Sequence, residues 1–540
     1  MLSRAEKKLY RGELFRHLDG IATAPAAFAL KEKGVFDYIL TKDSFPLSEI
    51  TEKFKANEGY LNVALRLMAS QGWLEYEVDN TSNRVTIFKN AKSEVAFKMA
   101  EKYKDVVEFI KLSEGFQPRD FELEQITALN RIFNHFKEGA YKSTSEKRLE
   151  ILMETQVEKH IEGILIGPII VYLGMNGMFH KYFMEASFSA DEFHEDPVSF
   201  SKILDFFSYL GWFDKKNGHY KFTDKGLFFA RRASAYGVTV SYLPTFRRLD
   251  ELIFGNAQIF KSNDPTATEM HVDREMNVWG SGGAHSAYFK KIDEIVMALF
   301  NKPIEEQPKG ILDMGCGNGA FLIHLFEVIE QRTKRGEMLE EYPLFLVGAD
   351  YNKAALKVTR SNLVKAEIWA KVIWGDIANP KQLERDIQES YDIELRDLLN
   401  VRTFLDHNRP WLFPKEIDSD WKSTSTGAFA SCGDRLSNAL VEQNLKEHFE
   451  NWMPYIEKFG LLLIELHTLD PNITSQNLGK TAATAYDATH GFSDQYILEL
   501  DVFLKVVEGI GLESDPKHFS KYPNNELATV SIHYLKNRNG

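Results

Sequence analysis

Three glycines at alternate positions follow a short apolar run and an aspartate in the stretch KGILDMGCGNGAFL, residues 309–322. The glycines are Gly315, Gly317 and Gly319, and the aspartate is Asp313. Glycine permits positive φ angles and lets a ligand approach the backbone without a Cβ in the way. The N–H groups at a helix N-terminus lack intrahelical partners and can bind such a ligand. The spacing predicts a strand, a tight turn and a helix start that hold a nucleotide-like cofactor.

Two more acidic residues end later apolar runs. Asp350 ends LFLVGAD, and Asp376 with Ile377 ends AKVIWGDI. A carboxylate at the end of the second strand of a nucleotide-binding domain accepts hydrogen bonds from ribose hydroxyls, and the third acid could accept one from an adenine amino group. Asp350 lies farther beyond the glycines than the usual spacing of about 20 residues, and a charged extension at residues 331–343 accounts for the excess.

The glycine turn, Asp350 and Asp376 can form one site only if the ends of their strands lie side by side. Apolar runs at 398–404 and 461–467 predict a fourth and a fifth strand, and the last strands are expected around 517–522 and 528–535. Helical patterns lie between them, and a Ser-, Thr- and Gly-rich insertion at 411–434 resembles a lid. Strands that alternate with helices form a doubly wound α/β domain.

Two cofactors fit this domain. The pattern G-x-G-x-x-A at Gly315, Gly317 and Ala320 is compatible with a nicotinamide dinucleotide. The full set, D-x-G-x-G-x-G together with Asp350 and Asp376, resembles that of the class I S-adenosylmethionine-dependent methyltransferases, which we favour. The resemblance implies a Rossmann-like fold in which the glycine turn lies against the amino-acid moiety of the cofactor, Asp350 binds the ribose and Asp376 lies at the adenine.

A second polar set lies in TAYDATHGFSDQY, after the fifth strand. We expect Ser493 to be the N-cap of a helix that ends at Gly509, with His490 just outside that helix and Gln495 in its first turn. Together with the carboxylate of Asp487, these side chains would form an open site for an octahedral metal ion. In the alternative interpretation, Asp487 and Ser493 are caps and His490 is a surface residue.

Further polar residues follow the fourth and fifth strands. Asp406, His407 and Arg409 come after the fourth strand and could supply a base, a substrate clamp or only loop structure. His467 ends the fifth strand. His407 and His467 are therefore candidates for a general base.

The segments NVWGSGGAHSAYFKKID, RTFLDHNRP and AYDATHGFSDQY resemble those of the C-methyltransferase domains in polyketide synthase loading modules of the apratoxin and saxitoxin type. The resemblance implies a mononuclear iron or manganese ion, a malonyl group on acyl carrier protein and methyl transfer to its α-carbon. His490 and Gln495 would then be metal ligands, with Asp487 as a further candidate. His490, His467 and His407 are the candidate catalytic residues.

Two alternatives remain open. One is a winged-helix O-methyltransferase that acts on a small molecule with a His base and no metal; the other is a DNA-binding regulator with a cofactor-binding domain. Recognition of a carrier protein would need a basic surface, because carrier proteins are typically acidic. Candidate surface residues are Arg231 with Arg232, Arg247 with Arg248, and Lys290 with Lys291.

The first half of the chain contains an internal repeat. APAAFALKEKGVFD at 24–37 aligns with GPIIVYLGMNGMFH at 167–180, and each copy continues through a Gly-Trp pair into a β-like segment. This order is typical of a winged helix, and the acidic balance favours a dimerisation or lid role over DNA binding.

The predicted domains are a winged-helix-like unit at 1–99, a helical connector at 100–156, a second winged-helix-like unit at 157–270 and the methyltransferase domain at 271–540. Gly280, Ser281, Gly282 and Gly283 are predicted to form a flexible binding loop or hinge.

Composition excludes several classes of protein. A chain of 540 residues is too long for one core, and a net charge of -13 argues against non-specific nucleic-acid binding. Cys316 and Cys432 are the only cysteines, so a disulfide framework is not expected. We expect a cytoplasmic protein without a membrane span, because no secretory signal opens the sequence and the apolar run at 161–179 contains Glu162 and Pro168. The oligomeric state, and whether the chain is a stand-alone enzyme or a fragment, stay open.

Overall fold

A computed structural model describes residues 2–112, 123–142, 146–262 and 269–538. The chain divides into two compact units. The helical unit contains residues 1–284, 430–435 and 470–493, and the sheet unit contains residues 285–429, 436–469 and 494–540. The predicted domain boundaries stay predictions, but two segments of the C-terminal half belong to the helical unit.

The described helices are α1 (Arg4–Glu32), α2 (Val35–Ile39), α3 (Leu47–Phe54), α4 (Glu58–Ser70), α5 (Ser93–Met99), α6 (Lys104–Leu112), α7 (Leu123–Lys137), α8 (Arg148–Met175), α9 (Lys181–Glu185), α10 (Pro197–Tyr209), α11 (Asp224–Ala230), α12 (Ser234–Ser241), α13 (Leu243–Phe246), α14 (Leu249–Phe254), α15 (Arg274–Phe300), α16 (Ala320–Arg332), α17 (Lys353–Lys365), α18 (Pro380–Tyr391), α19 (Asn438–Ile456), α20 (Pro471–Gln476), α21 (Ala483–Gly491) and α22 (Leu500–Gly509). The described strands are β1 (Ser44–Pro46), β2 (Leu74–Asp79), β3 (Arg84–Lys89), β4 (Phe213–Lys216), β5 (His219–Phe222), β6 (Gly310–Met314), β7 (Phe345–Asp350), β8 (Lys371–Trp374), β9 (Leu398–Thr403), β10 (Phe429–Ser431), β11 (Asp434–Leu436), β12 (Leu461–Leu466), β13 (Leu512–Ser514), β14 (Ser520–Tyr522) and β15 (Val530–Asn537).

The first copy of the repeat is a winged helix. Its elements follow the order α2, β1, α3, α4, β2 and β3, and the strands form a three-stranded antiparallel sheet in the order β1-β3-β2. Ile87 of the central strand pairs with Phe45 on one side and Tyr76 on the other, and all three side chains are buried. Alternate burial along β2 matches the two-residue period of a strand that is covered on one face.

The second copy repeats this plan with a smaller sheet. Helices α9 and α10 precede the β4–β5 hairpin, and a single bridge between Phe188 and Tyr220 takes the place of the first strand. The aligned Trp73 and Trp212 are both buried. Four aligned glycines have positive φ angles, at Gly34, Gly177, Gly72 and Gly211. The predicted winged-helix repeat is confirmed.

The duplication also includes the two long helices of the helical unit. RHLDG in α1 (residues 16–20) recurs as KHIEG in α8 (residues 159–163), and the two helices pack against each other. A Cβ on Gly20 would come within 2.2 Å of the His160 Cα, and a Cβ on Gly163 within 2.5 Å of the His17 Cα. These reciprocal contacts relate the two copies by an approximate two-fold axis, and they require glycine on both sides.

Each histidine of this crossing is held by a tyrosine. His17 Nδ1 shares a hydrogen bond of 2.8 Å with the Tyr236 hydroxyl, and His160 Nδ1 shares one of 2.7 Å with the Tyr103 hydroxyl. Burial lowers the pKa of His17 and lowers that of His160 to about 3. Both imidazoles are therefore neutral at physiological pH and belong to the core.

The sheet unit contains an eight-stranded sheet with the order β13-β15-β12-β9-β6-β7-β8, and β14 pairs with β15. β15 is antiparallel to its neighbours, whereas β12, β9, β6, β7 and β8 are parallel. Every residue of β6 and of β12 is buried, as expected for parallel strands that helices cover on both faces. The predicted doubly wound α/β domain is confirmed, and β9 and β12 lie where the fourth and fifth strands were expected.

Two local predictions are wrong. The predicted flexible loop at Gly280–Gly283 is part of helix α15. Gly280 serves close packing against α12, because a Cβ at this position would lie 2.6 Å from the Gly237 Cα. Ser493 is not an N-cap: α21 ends before it, its hydroxyl donates to the Thr489 carbonyl oxygen, and α22 begins after Glu499. His285 follows these glycines in the sequence, and its side chain lies outside the described residues.

Helix α4 of the first winged helix is not available to DNA. This is the helix that a DNA-binding winged helix places in the major groove. Its residues 59–70 are all buried, and α20 and α21 pack against it. The first copy is therefore part of the scaffold. In the part of the chain that the structure describes, no helix combines the length and apolar character that a membrane crossing requires.

We expect Gly20→Ala and Gly163→Ala each to destabilise the helical unit by about 3 kcal/mol or more, because the added methyl group would overlap backbone atoms of the facing helix. Thermal and urea unfolding followed by circular dichroism will measure the loss. Gly509→Ala is the matched control, since no atom lies within 4 Å of its Cβ position; it should change stability by less than about 0.5 kcal/mol. Equal stability of all three variants would contradict the proposed crossing.

Candidate functional site

The glycine turn has the predicted strand-turn-helix form. Gly315, Gly317 and Gly319 have φ angles of 79°, 55° and 78°, in the region that favours glycine. A Cβ on Gly315 would lie 2.9 Å from the side chain of Leu405, whereas one on Gly317 would meet nothing within 4 Å. α16 begins at Ala320, directly after the turn. The turn therefore offers open space beside Gly317.

The three acidic residues lie on three adjacent parallel strands or directly after them. Asp350 Oδ2 accepts a hydrogen bond of 3.0 Å from the Gly317 N–H, and its Oδ1 accepts one of 2.8 Å from the Asn352 N–H. Asp376 Oδ1 accepts one of 2.9 Å from the Ala378 N–H. Because the carboxyl ends of parallel strands meet at one edge of the sheet, this is where a nucleotide cofactor binds in such folds.

Ile377 is buried, whereas the neighbouring Asp376 is partly exposed. The Ile377 carbonyl oxygen accepts a hydrogen bond of 2.8 Å from the indole nitrogen of Trp452 in α19. This bond anchors the segment after β8, in which Asp376 lies. The assignment of these residues to cofactor binding stays a prediction.

Asp313, which precedes the glycine turn, is a buried acid with a raised pKa. Its side chain is buried, and within the described ranges no group forms a hydrogen bond with its Oδ2. Burial, with a smaller contribution from the charge of Asp350, raises the pKa of Asp313 to about 8. A ligand with a positive amino group would satisfy this oxygen and stabilise its charge. S-adenosylmethionine has such a group, so the residues present fit the expected cofactor.

A histidine–glutamate pair lies at the same edge, after β9 and at the end of β12. His407 Nδ1 donates a hydrogen bond of 2.5 Å to Glu465 Oε1. This bond leaves the lone pair of the imidazole on Nε2, the arrangement in which a carboxylate orients a histidine base. Sequence reasoning found His407 but missed Glu465. The available signal was one acidic residue inside the apolar strand LLLIEL.

Asp406 and Arg409 form the support of the turn that carries His407. Asp406 Oδ1 lies 2.5 Å from an Arg402 nitrogen and 2.8 Å from His448 Nε2, and Arg402 holds the pKa of Asp406 well below its usual range even though burial opposes this. Arg409 donates to Asn444 Oδ1 at 2.6 Å and to the Asp406 carbonyl oxygen at 3.0 Å. Both predicted residues are thus buried in the structure of the loop.

His467 has both ring nitrogens engaged. Its Nδ1 donates to the Leu498 carbonyl oxygen at 3.1 Å, and its Nε2 lies 2.6 Å from the Ser531 hydroxyl. The side chain is fully buried, and burial lowers its pKa to about 3. His467 therefore belongs to the core of the sheet unit, and its role as a base stays a prediction.

All three proposed metal ligands are buried side chains. The carboxylate of Asp487 is paired with the Arg66 guanidinium, and both side chains are buried in the helical unit. His490 is also buried there, and its Nδ1 donates to the Tyr486 carbonyl oxygen at 2.8 Å, which places the lone pair on Nε2. Gln495 is buried in the sheet unit. Across the described ranges, no three His, Cys, Asp or Glu side chains cluster as metal ligands. An imidazole and an amide oxygen both suit Fe or Mn, but with Asp487 already paired with Arg66 the proposed set retains no free carboxylate.

Three protein-family models match consecutive parts of the chain. The AprA N-terminal domain matches residues 10–76, the AprA winged helix domain residues 162–256, and the AprA MT2-like domain residues 269–533. No curated protein matches the sequence.

Distant solved structures were also found. An O-methyltransferase family protein from Burkholderia thailandensis has 11% identity over 68% of this chain and 94% of its own, with a TM-score of 0.37. The mitomycin 7-O-methyltransferase MmcR has 11% identity over 71% and 98%, with a TM-score of 0.42. The CurJ carbon methyltransferase has 12% identity over 82% and 98%, with a TM-score of 0.29.

We expect the affinity for S-adenosylmethionine to increase with pH. Asp313 is protonated below its pKa of about 8, and binding of a cationic amino group must expel that proton. The Kd should fall by up to about tenfold per unit between pH 6 and 8. In Asp313→Asn the Kd should be larger and independent of pH in this range. Isothermal titration calorimetry will measure both, and a pH-independent wild-type Kd would contradict the role of Asp313.

Proposed function

The chain is an S-adenosylmethionine-dependent methyltransferase of the AprA type with a class I fold, and from that premise we propose that it methylates the α-carbon of a malonyl-type acyl thioester on acyl carrier protein. The observation that carries the proposal is the His407–Glu465 pair at the edge of the sheet where the cofactor turn lies. Methyl transfer to carbon requires removal of an α-proton, and this pair has the form of a general base.

When bound, the cofactor would supply a methyl group on a positively charged sulfur, which would keep the electron pair of the carbon–sulfur bond. On the protein side, His407 Nε2 would take the α-proton of the substrate and so leave its α-carbon as the nucleophile for that methyl group. Glu465 stabilises the imidazolium that forms and holds the ring orientation through Nδ1. The backbone of the same turn is restrained by a hydrogen bond of 2.8 Å from the Tyr496 N–H to the His407 carbonyl oxygen.

Removal of the base should slow chemistry without loss of the cofactor. We expect His407→Ala to lower kcat by about 10²- to 10⁴-fold, with a smaller loss for Glu465→Gln, which keeps the shape but removes the charge. The Kd for S-adenosylmethionine should stay within about twofold of wild type. His219→Ala is the control, because His219 is exposed in the β4–β5 hairpin. Undiminished turnover of malonyl-carrier protein by His407→Ala would exclude this residue as the base.

No step of this mechanism passes through a metal. Of the three proposed metal ligands, the Asp487 carboxylate is already paired with the Arg66 guanidinium. In the metal-assisted alternative, His490 and Gln495 would hold an Fe or Mn ion, which would supply Lewis-acid stabilisation of the negative charge that develops on the substrate. We expect turnover to survive dialysis against a chelator, and metal analysis by mass spectrometry to give the same value for wild type and His490→Ala. A stoichiometric metal that is lost in His490→Ala, together with lost turnover after chelation, would favour the metal-assisted reaction.

The same pair supports a second candidate function. A histidine base oriented by a carboxylate can also deprotonate a hydroxyl group, so methylation of a small-molecule oxygen is chemically compatible with His407 and Glu465. Mass spectrometry of the products from malonyl-carrier protein and from a panel of phenols will separate the two reactions. Products from phenols alone would replace C-methylation by O-methylation.

A further inference from the structure

Helix α17 connects the cofactor turn to the protein surface. Its buried face contains Leu356, Thr359 and Leu363. The Thr359 hydroxyl donates to the Gly317 carbonyl oxygen at 2.8 Å, and the Asn362 amide donates to the Asn318 carbonyl oxygen at 2.9 Å. One face of the helix thus packs against the glycine turn, and other faces of the helix are exposed.

A second face of α17, about 100° around the helix from the buried face, is basic and apolar. The helix sequence KAALKVTRSNLVK contains no Asp or Glu. Lys353, Lys357, Arg360 and Val364 are spaced so that they share about 60° of the helix circumference, and all four are exposed. Val364 is 76% exposed, and Trp369 in the following segment is 94% exposed. We call these five residues the α17 surface.

The cations of the α17 surface are not neutralised locally. Among the described residues, Lys353, Lys357 and Arg360 form no ion pair, and the Arg360 guanidinium donates only to the Val372 carbonyl oxygen, at 2.8 Å. They stand out in a chain with a net charge of -13. A tryptophan that is almost fully exposed is also unusual, and exposed apolar groups next to charges often mark an interaction site.

The basic pairs that sequence reasoning selected differ from this surface. Arg248 pairs with Glu251 at 2.7 Å and Lys291 pairs with Glu294 at 2.9 Å. The Arg232 guanidinium lies 4.0 Å from the centre of the Phe228 ring and donates to the Phe228 carbonyl oxygen. Each of these pairs thus has a member that is already engaged within its own helix or segment, so they are weaker candidates for a partner.

We propose that the α17 surface is the docking site for the acidic carrier protein that presents the substrate, an inference that rests on the proposed function. Lysine and arginine side chains attract an acidic partner and accelerate its encounter. Val364 and Trp369 supply the apolar contact that charge alone lacks, and tryptophan is among the side chains that contribute most to protein interfaces. A polyanion such as a nucleic acid would use the charges but not the exposed valine.

The test uses full-length protein with two forms of the same acyl group, malonyl-acyl carrier protein and malonyl-coenzyme A. In a Lys353→Glu/Lys357→Glu variant and in Trp369→Ala, we expect the KM for malonyl-carrier protein to rise about tenfold or more, with kcat and the KM for malonyl-coenzyme A within twofold of wild type. Added salt should raise the wild-type KM for the carrier form and affect the charge variant little. Lys7→Glu/Lys8→Glu, which reverses two exposed lysines of α1, is the matched control.

The outcomes separate the docking site from the reaction. If wild type turns over malonyl-carrier protein and the α17 variants have the same KM, the docking proposal is wrong while the proposed function stands. If wild type methylates neither thioester, the proposed function is wrong, and binding of the carrier protein measured by calorimetry then decides the docking site. Loss of duplex DNA or RNA binding in the α17 variants, with unchanged carrier binding, would assign the surface to a different partner.

Discussion

The parallel pairing of β6 with β7 on one side and β9 on the other is the constraint on which the site depends. Both faces of β6 are buried, so its register against its neighbours leaves little freedom. The pairing carries Asp313 and the glycine turn to the same edge as Asp350. It also carries the turn after β9, and with it His407, to that edge. One strand thus positions both the cofactor turn and the candidate base.

Among the described residues, buried carboxylates that have a neighbouring cation differ in physical role from Asp313. The carboxylates of Asp487 and Asp406 each have a buried cation beside them, Arg66 and Arg402 respectively. Such pairs hold elements together, and removal of one partner leaves an uncompensated charge. Asp313 has no such cation, and its pKa is raised accordingly. A buried acid without a compensating charge is a place where a cationic ligand gains most from binding.

The duplicated first half shows how an architecture that often binds DNA can become scaffold. The pseudo-two-fold crossing of α1 and α8 buries RHLDG against KHIEG, and glycine on each helix admits the backbone of the other. In the first copy, the helix that would enter a DNA groove is covered by α20 and α21, which come from the C-terminal half of the chain. The winged-helix copies and these C-terminal segments therefore form one helical core.

Local patterns in the sequence were sufficient for the glycine turn, the acids at the ends of β7 and β8, the alternation of strands and helices, and the Gly-Trp repeat. Each depends on turn chemistry or periodicity within a few residues. Only the tertiary structure decided which polar residues are neutralised and which are oriented for chemistry. Glu465 meets His407 across 58 positions and Asp487 meets Arg66 across 421, and no local pattern encodes such a pairing. The same applies to Gly280, which packs against the backbone of Gly237. In a sequence a glycine indicates a loop, and only the tertiary structure shows that it is needed for close packing of a helix.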